Sequence, residues 1–180
     1  MVLDPAVGIL IDACLALLFA SAGIHKLRDL KRFEEIFSAY GLMPVIARAS
    51  ISWLVPMLEI SVAAGLLIKV TRPFAGLLAM IMLLGYAGAI AVNLRRGRRD
   101  LACGCGGPDE RRPIAAWMVW RNILIAAAAA PAFAPWTNRP LSYTDGFTVA
   151  FGLSTLALIY LCIDQLLGNA QRNAQAWGSR

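Results

Sequence analysis

Five apolar stretches, each close to the length a helix needs to cross a bilayer, dominate this sequence of 180 residues. A hydrocarbon core of about 30 Å is spanned by roughly 20 residues of α-helix. The stretches run approximately from Ala6 to Ile24, Ile51 to Ile68, Phe74 to Leu94, Ile114 to Phe133 and Phe147 to Leu167. Hydrophobic residues make up 59% of the chain, above the roughly 45 to 50% of soluble domains, so lipid is the expected solvent. The expected fold is all-α, a polytopic membrane helix bundle of about five transmembrane helices forming a single integral membrane domain over residues 1–180. Asp4 is the first charge and nothing basic precedes the first stretch, so this stretch is expected to be a retained span rather than a cleaved signal despite Ala20-Ser21-Ala22.

A net charge of +6 does not make this a nucleic-acid binder, because the Lys and Arg residues sit in loops between apolar runs rather than on one soluble face. Their distribution carries topological information instead. The loops after spans one, three and five hold Lys26, Arg28, Lys31, Arg32, Arg48, Arg95, Arg96, Arg98, Arg99, Arg111, Arg112, Arg172 and Arg180, thirteen against three (Lys69, Arg72 and Arg139) on the other side. The positive-inside rule then puts the amino terminus outside and the Cys103 loop in the cytoplasm of a bacterial inner membrane.

Between the first two spans, His25 to Met43 places Leu27, Leu30, Phe33, Ile36, Phe37 and Tyr40 at three- and four-residue spacing, with Arg28, Lys31, Arg32, Glu34 and Glu35 between them. An amphipathic helix lying in the membrane interface is expected, ended by Gly41 and Pro44. Ala126 to Ala130 in span four is small-residue surface for close helix packing, and Pro131 to Tyr143 reads as a turn-rich connection with interfacial aromatics.

Cys103 and Cys105 are the main chemical candidates. They flank Gly104 and are followed by Gly106, Gly107 and a proline, so the backbone has the freedom to bring alternate sulfurs together. A disulfide across one intervening residue closes a small strained ring, which favours the labile, exchanging class of disulfide, and nearby arginines favour the thiolate. The plain alternative is two free cysteines in a flexible loop. Two soft ligands are too few for a zinc or iron–sulfur site, so no metal is expected. Cys14 and Cys162 fall in spans one and five, where cysteine commonly behaves as a small hydrophobe; they are candidate electron relays only if the fold brings them near the loop pair.

Glu59, in the middle of span two, is costly enough in lipid to be a functional candidate, either paired or neutral and hydrogen-bonded to a carbonyl freed near Pro56. Lys26 at the end of span one is expected to snorkel to the headgroups, and the neighbouring His25, the one histidine, is either solvated there or an acid–base partner to a thiol or a quinone. Asp12 and Asp164 are further intramembrane acids, read as structural because they lie toward span ends.

The stretch from Ser21 through Gly23, Lys26, Leu27 and Asp29, continuing through Phe33 to Tyr40-Gly-Leu-Met-Pro44, resembles the DoxX-like membrane proteins, with their Gly-x-x-Lys-Leu and Tyr-Gly-Leu-x-Pro patterns. With the Cys103-Gly104-Cys105 loop before span four, the layout is similar to the MauE branch, the methylamine utilisation proteins, over nearly the whole chain. Gly106 stands where such proteins often carry a bulky residue, so the thiol pair is kept but that packing position is not. The resemblance implies a four-helix DoxX-like core plus one helix. It also implies a role in maturing the small subunit of methylamine dehydrogenase, a disulfide-rich periplasmic enzyme with a tryptophan tryptophylquinone, in company with a thioredoxin-like MauD-type partner. Two other readings stay open: a non-catalytic scaffold docking a partner on Arg28 to Tyr40, and a transport or quinone-linked protein built around Glu59.

Overall fold

A computed structural model describes residues 3–42, 44–104, 112–137 and 139–178. Six α-helices follow in order among them: α1 (Pro5–Arg28), α2 (Leu30–Ala39), α3 (Val45–Leu66), α4 (Arg72–Arg95), α5 (Ala116–Ala128) and α6 (Tyr143–Gly178). Five segments are long and apolar enough to cross a membrane, α5 reaching that length with the short 3-10 helix Ala130–Phe133 that follows it. The described residues hold no strand, only two isolated bridges. The protein is therefore an all-α multi-pass bundle, as the spacing of its apolar runs predicts.

Element ends differ from the sequence expectation for identifiable reasons. The amphipathic helix does not start at His25, because α1 continues to Arg28 and the chain breaks at Asp29, whose side chain accepts from the Arg32 amide at 3.1 Å and caps α2. Gly41 ends this segment with φ +63, a conformation that favours glycine. The helix that carries the second span starts at Val45, after Pro44, and its span-length apolar part runs from Arg48 rather than Ile51 to Leu66. The last helix runs 36 residues, about 54 Å at 1.5 Å per residue, so it overshoots a bilayer core by several turns.

The main core joins α1, α3, α4 and α5 through Leu15, Phe19, Val62, Leu66, Ala79 and Leu83, with Ala126 and Ala129 from the small-residue run. Close approach is built in. A Cβ on Gly76 of α4 would lie 2.5 Å from the Ala132 Cβ, so the two backbones meet where neither carries bulk. α6 packs mainly on α1 and leaves Phe147, Phe151, Leu158 and Ile163 more than half exposed, as a lipid-facing helix does.

At the end of the bundle holding the amino terminus, Leu3 pairs with the 134–137 connection through Leu3 N to Pro135 O (3.0 Å) and Thr137 N to Leu3 O (2.9 Å). Arg139 donates to Asp4 and Asp145 together, tying the starts of α1 and α6 to this connection. The Trp136 ring lies over the Arg72 guanidinium, 4.3 Å from the centroid, in the space left by Gly8. Arg72 in turn is paired with the buried Asp12 at 3.6 Å.

Candidate functional site

The opposite end of the bundle gathers most of the sequence candidates. An antiparallel bridge between Ala102 and Pro113 closes the cysteine loop, with Cys103 N donating to Arg112 O at 3.1 Å and Ile114 N to Leu101 O at 2.9 Å. α2 lies against this loop. The Tyr40 hydroxyl donates to the Cys103 carbonyl at 3.2 Å, and a Cβ on Gly104, whose φ is +65, would come within 3.0 Å of Ile36 Cγ2. The amphipathic helix therefore turns part of its apolar face onto the cysteine loop.

Cys103 is disulfide-bonded, whereas Cys14 and Cys162 are free. Cys105, Gly106 and Gly107 lie outside the described residues. Burial holds the Tyr40 phenol up at about 12, so it stays protonated and donating to the loop at any ordinary pH.

Directly beneath, Lys26 is not the snorkelling residue expected from its place in the sequence. Its side chain is 4% exposed and forms an ion pair with Glu59, which also accepts from the Tyr86 hydroxyl at 2.7 Å. The ammonium sits between two rings, 5.2 Å from the Phe33 centroid and 4.9 Å from that of Tyr86. Snorkelling fails because Phe33 of α2 roofs the lysine, and because Gly23, one turn earlier, lets α1 approach α3: a Cβ there would stand 3.2 Å from Glu59 Cβ. The glycine and lysine of the Gly-x-x-Lys-Leu pattern thus do one job, while Leu27 beside them is only half-buried. Of the two states open to Glu59 in the sequence, the paired one is found.

A second ion-pair group holds α6 to the bundle. Asp164 accepts from Arg112 Nη1 at 2.8 Å and from Arg121 Nη1 at 2.9 Å. The Arg112 guanidinium thereby lies against Gly168 of α6. Arg121 also stacks on Trp117, 5.3 Å from its centroid.

A cavity of about 680 Å³ lies between these groups, lined by Cys103 and Gly104, by Lys26, Glu59 and Tyr86, and by Arg121, Asn122 and Asp164 among many apolar side chains. Cys14 lines it as well, so the fold does bring this cysteine to the same space as Cys103. Cys162 and His25 are not on its lining; Cys162 is exposed on α6, and His25 is half-buried in the last turn of α1. No group of three His, Cys, Asp or Glu side chains among the described residues is placed to hold a metal.

Tyr86, Arg121 and Asn122 are not among the residues the sequence singles out. Arg121 and Asn122 are a charged and a polar residue inside the fourth apolar run, and the rule that singles out Glu59 applies to them equally.

The family profile described as "Methylamine utilisation protein MauE" matches residues 4–135, most of the chain and all of this site except the side chains that α6 contributes. The chain belongs to the MauE family. Three relatives, each a "Methylamine utilization protein MauE", extend the likeness to nearly full length. That of Paracoccus denitrificans is 34% identical over 86% of this chain and 83% of its own. The Methylophilus methylotrophus protein is 32% identical over 93% and 90%, and the Methylorubrum extorquens protein 32% identical over 96% and 93%. No solved structure matches the chain.

Proposed function

We propose that this protein is a membrane accessory of methylamine utilisation that works by thiol–disulfide exchange, passing electrons between a thioredoxin-like MauD-type partner and its own Cys103–Cys105 pair while the methylamine dehydrogenase small subunit matures. The observation that carries the reading is the bonded state and setting of Cys103. It is in a disulfide, in a loop clamped by Tyr40 and by the pairing with Arg112, over a cavity within the bundle. Membership of the MauE family supplies the pathway.

In the exchange, a partner thiolate attacks one sulfur of the loop disulfide and forms a mixed disulfide. The second partner thiol then resolves it, leaving the partner oxidised and the loop as a dithiol. Two electrons move, and the displaced sulfurs take up the two protons. The clamp suits this step because it fixes the Cys103 side of the loop through Tyr40 and the pairing with Arg112.

The loop is assigned to the cytoplasmic side. Lys26 and Arg112 on one side and Arg72 on the other are buried in ion pairs and are not free to meet headgroups, yet removing all three leaves the basic excess where it was.

The test replaces both loop cysteines by serine in cells lacking their own copy and follows disulfide-complete small subunit. Loss of the mature subunit, with a mixed disulfide to the MauD-type protein trapped by Cys103→Ser or Cys105→Ser alone, is the expected result. Normal maturation with both serines in place would instead leave a scaffold, docking a partner on α2. Tagging with permeant and impermeant maleimides after reduction reports the side of the loop, and labelling by the impermeant reagent in intact cells would reverse the assignment.

A further inference from the structure

Resting on the exchange reading above, we propose that the cavity beneath the Cys103 loop binds the ring of a lipid-soluble quinone, which re-oxidises the loop dithiol. In the balanced step, two thiols and one quinone become one disulfide and one quinol. Two S–H bonds break, one S–S bond forms, and the two electrons and two protons end on the quinone oxygens.

Three observations carry this. The volume, about 680 Å³, falls in the range of cavities that enclose a small organic ligand, roughly 300–1,000 Å³. The walls are mainly apolar side chains of membrane-spanning helices, so a ligand entering from the bilayer must itself be lipophilic. Buried polar atoms left without a partner in the described structure lie among those walls: Asn122 Nδ2, on a residue 4% exposed, Glu59 Oε2, on a residue 0% exposed, and Arg121 Nε. An unpaired donor in an apolar cavity is costly, and an acceptor on a ligand relieves that cost. A quinone carbonyl is such an acceptor for Asn122, and a quinol hydroxyl is the matching donor for Glu59, so the same site holds both redox forms. Cys103 is on this lining, which places the electron donor at the same cavity as the acceptor.

An acyl chain could fill the apolar part of this space, but it offers nothing to Asn122 or Glu59. The exchange reading needs an electron sink for a dithiol placed at a membrane cavity, and a quinone is the two-electron, two-proton acceptor that dissolves in the bilayer.

The full-length protein in lipid nanodiscs is reduced, freed of reductant and mixed anaerobically with decylubiquinone, while quinol formation and loss of taggable thiols are followed. Glutathione disulfide in place of the quinone gives a parallel measure of exchange. Wild type is expected to form quinol in step with thiol loss, and Cys103→Ser/Cys105→Ser none. Asn122→Leu, and separately Ala157→Trp, which fills the cavity from α6, are expected to slow quinol formation by about tenfold or more, the scale of one lost hydrogen bond or an obstructed site. Both should still react normally with glutathione disulfide, which shows that they are folded. If wild type reacts with glutathione disulfide but yields no quinol, the quinone site is overturned and exchange stands. If neither reaction occurs, the exchange reading falls and the quinone site with it. Undiminished quinol formation by both cavity variants would mean that the reaction bypasses the cavity, and would overturn the site.

Discussion

Lys26 of α1 and Glu59 of α3 form an ion pair in which both side chains are almost wholly removed from solvent, with Tyr86 of α4 as a third partner. Such a pair ties three helices at one depth. Breaking a buried pair by removing one member leaves the other charge uncompensated and costs about 3–5 kcal/mol. Lys26→Met and Glu59→Gln are therefore each expected to destabilise the protein by about this much, as read by thermal unfolding in detergent. The double variant Lys26→Met/Glu59→Leu should recover most of the loss. If the double variant is as unstable as the sum of the two singles, the pair is not a coupled unit.

What was legible in the sequence, and what was not, follows from the range over which each signal acts. Hydropathy and periodicity are properties of one segment, and they located all five spans, the α2 pattern and its glycine terminator at Gly41. Partnership between helices is not a local property. Lys26 reads as a headgroup anchor because it ends an apolar run, and only the fold shows Phe33 and Glu59 enclosing it, the latter 33 residues away. Likewise Arg121 vanishes into an apolar stretch until Asp164, 43 residues on, is seen beside it. The break of span four into a helix and a 3-10 turn has a local cause in Pro131, which carries no amide hydrogen to continue the ladder.

Gly104 is expected to resist replacement. Its φ of +65 costs an L-residue about 1–2 kcal/mol, and a Cβ would also press on Ile36 at 3.0 Å. Gly104→Ala should therefore loosen the loop and speed reduction of the Cys103 disulfide, measured by tagging kinetics under limiting reductant. Adding Ile36→Ala should relieve the contact but not the backbone strain, so only part of the effect should revert. Complete reversion would assign the whole effect to the contact.

Asp164 is the counter-ion for two arginines, which makes its loss worse than the loss of either of them. Asp164→Asn leaves two half-satisfied guanidinium groups inside the bundle and should cost roughly 3–5 kcal/mol, whereas Arg121→Met, with Arg112 still paired, should cost clearly less. Because α6 otherwise packs mainly on α1, the same change should expose its buried side to limited proteolysis earlier than the rest of the bundle. Equal protection of α6 in wild type and Asp164→Asn would show that its remaining contacts hold it without this ion pair.

Tyr40 gives the loop clamp a dependence on alkaline pH. Its phenol titrates at about 12 in the folded protein against 10.0 unperturbed, because burial disfavours the phenolate. Between these values the unfolded chain has released a proton that the folded protein still holds, so stability must fall as pH rises. The contribution of Tyr40 is complete below about pH 10 and is lost as the pH passes through about 12. In the lower range Tyr40→Phe should be less stable than wild type by about 1 kcal/mol, the net worth of its hydrogen bond to the Cys103 carbonyl. On titration upward, wild type should lose stability while the phenylalanine variant lacks this dependence, so the two curves converge and then cross, because the loss over about two pK units exceeds about 1 kcal/mol. Curves that stay parallel from about pH 10 to about 12 would mean that the phenol is solvated and that the clamp is held by Ile36 and the Arg112 pairing alone.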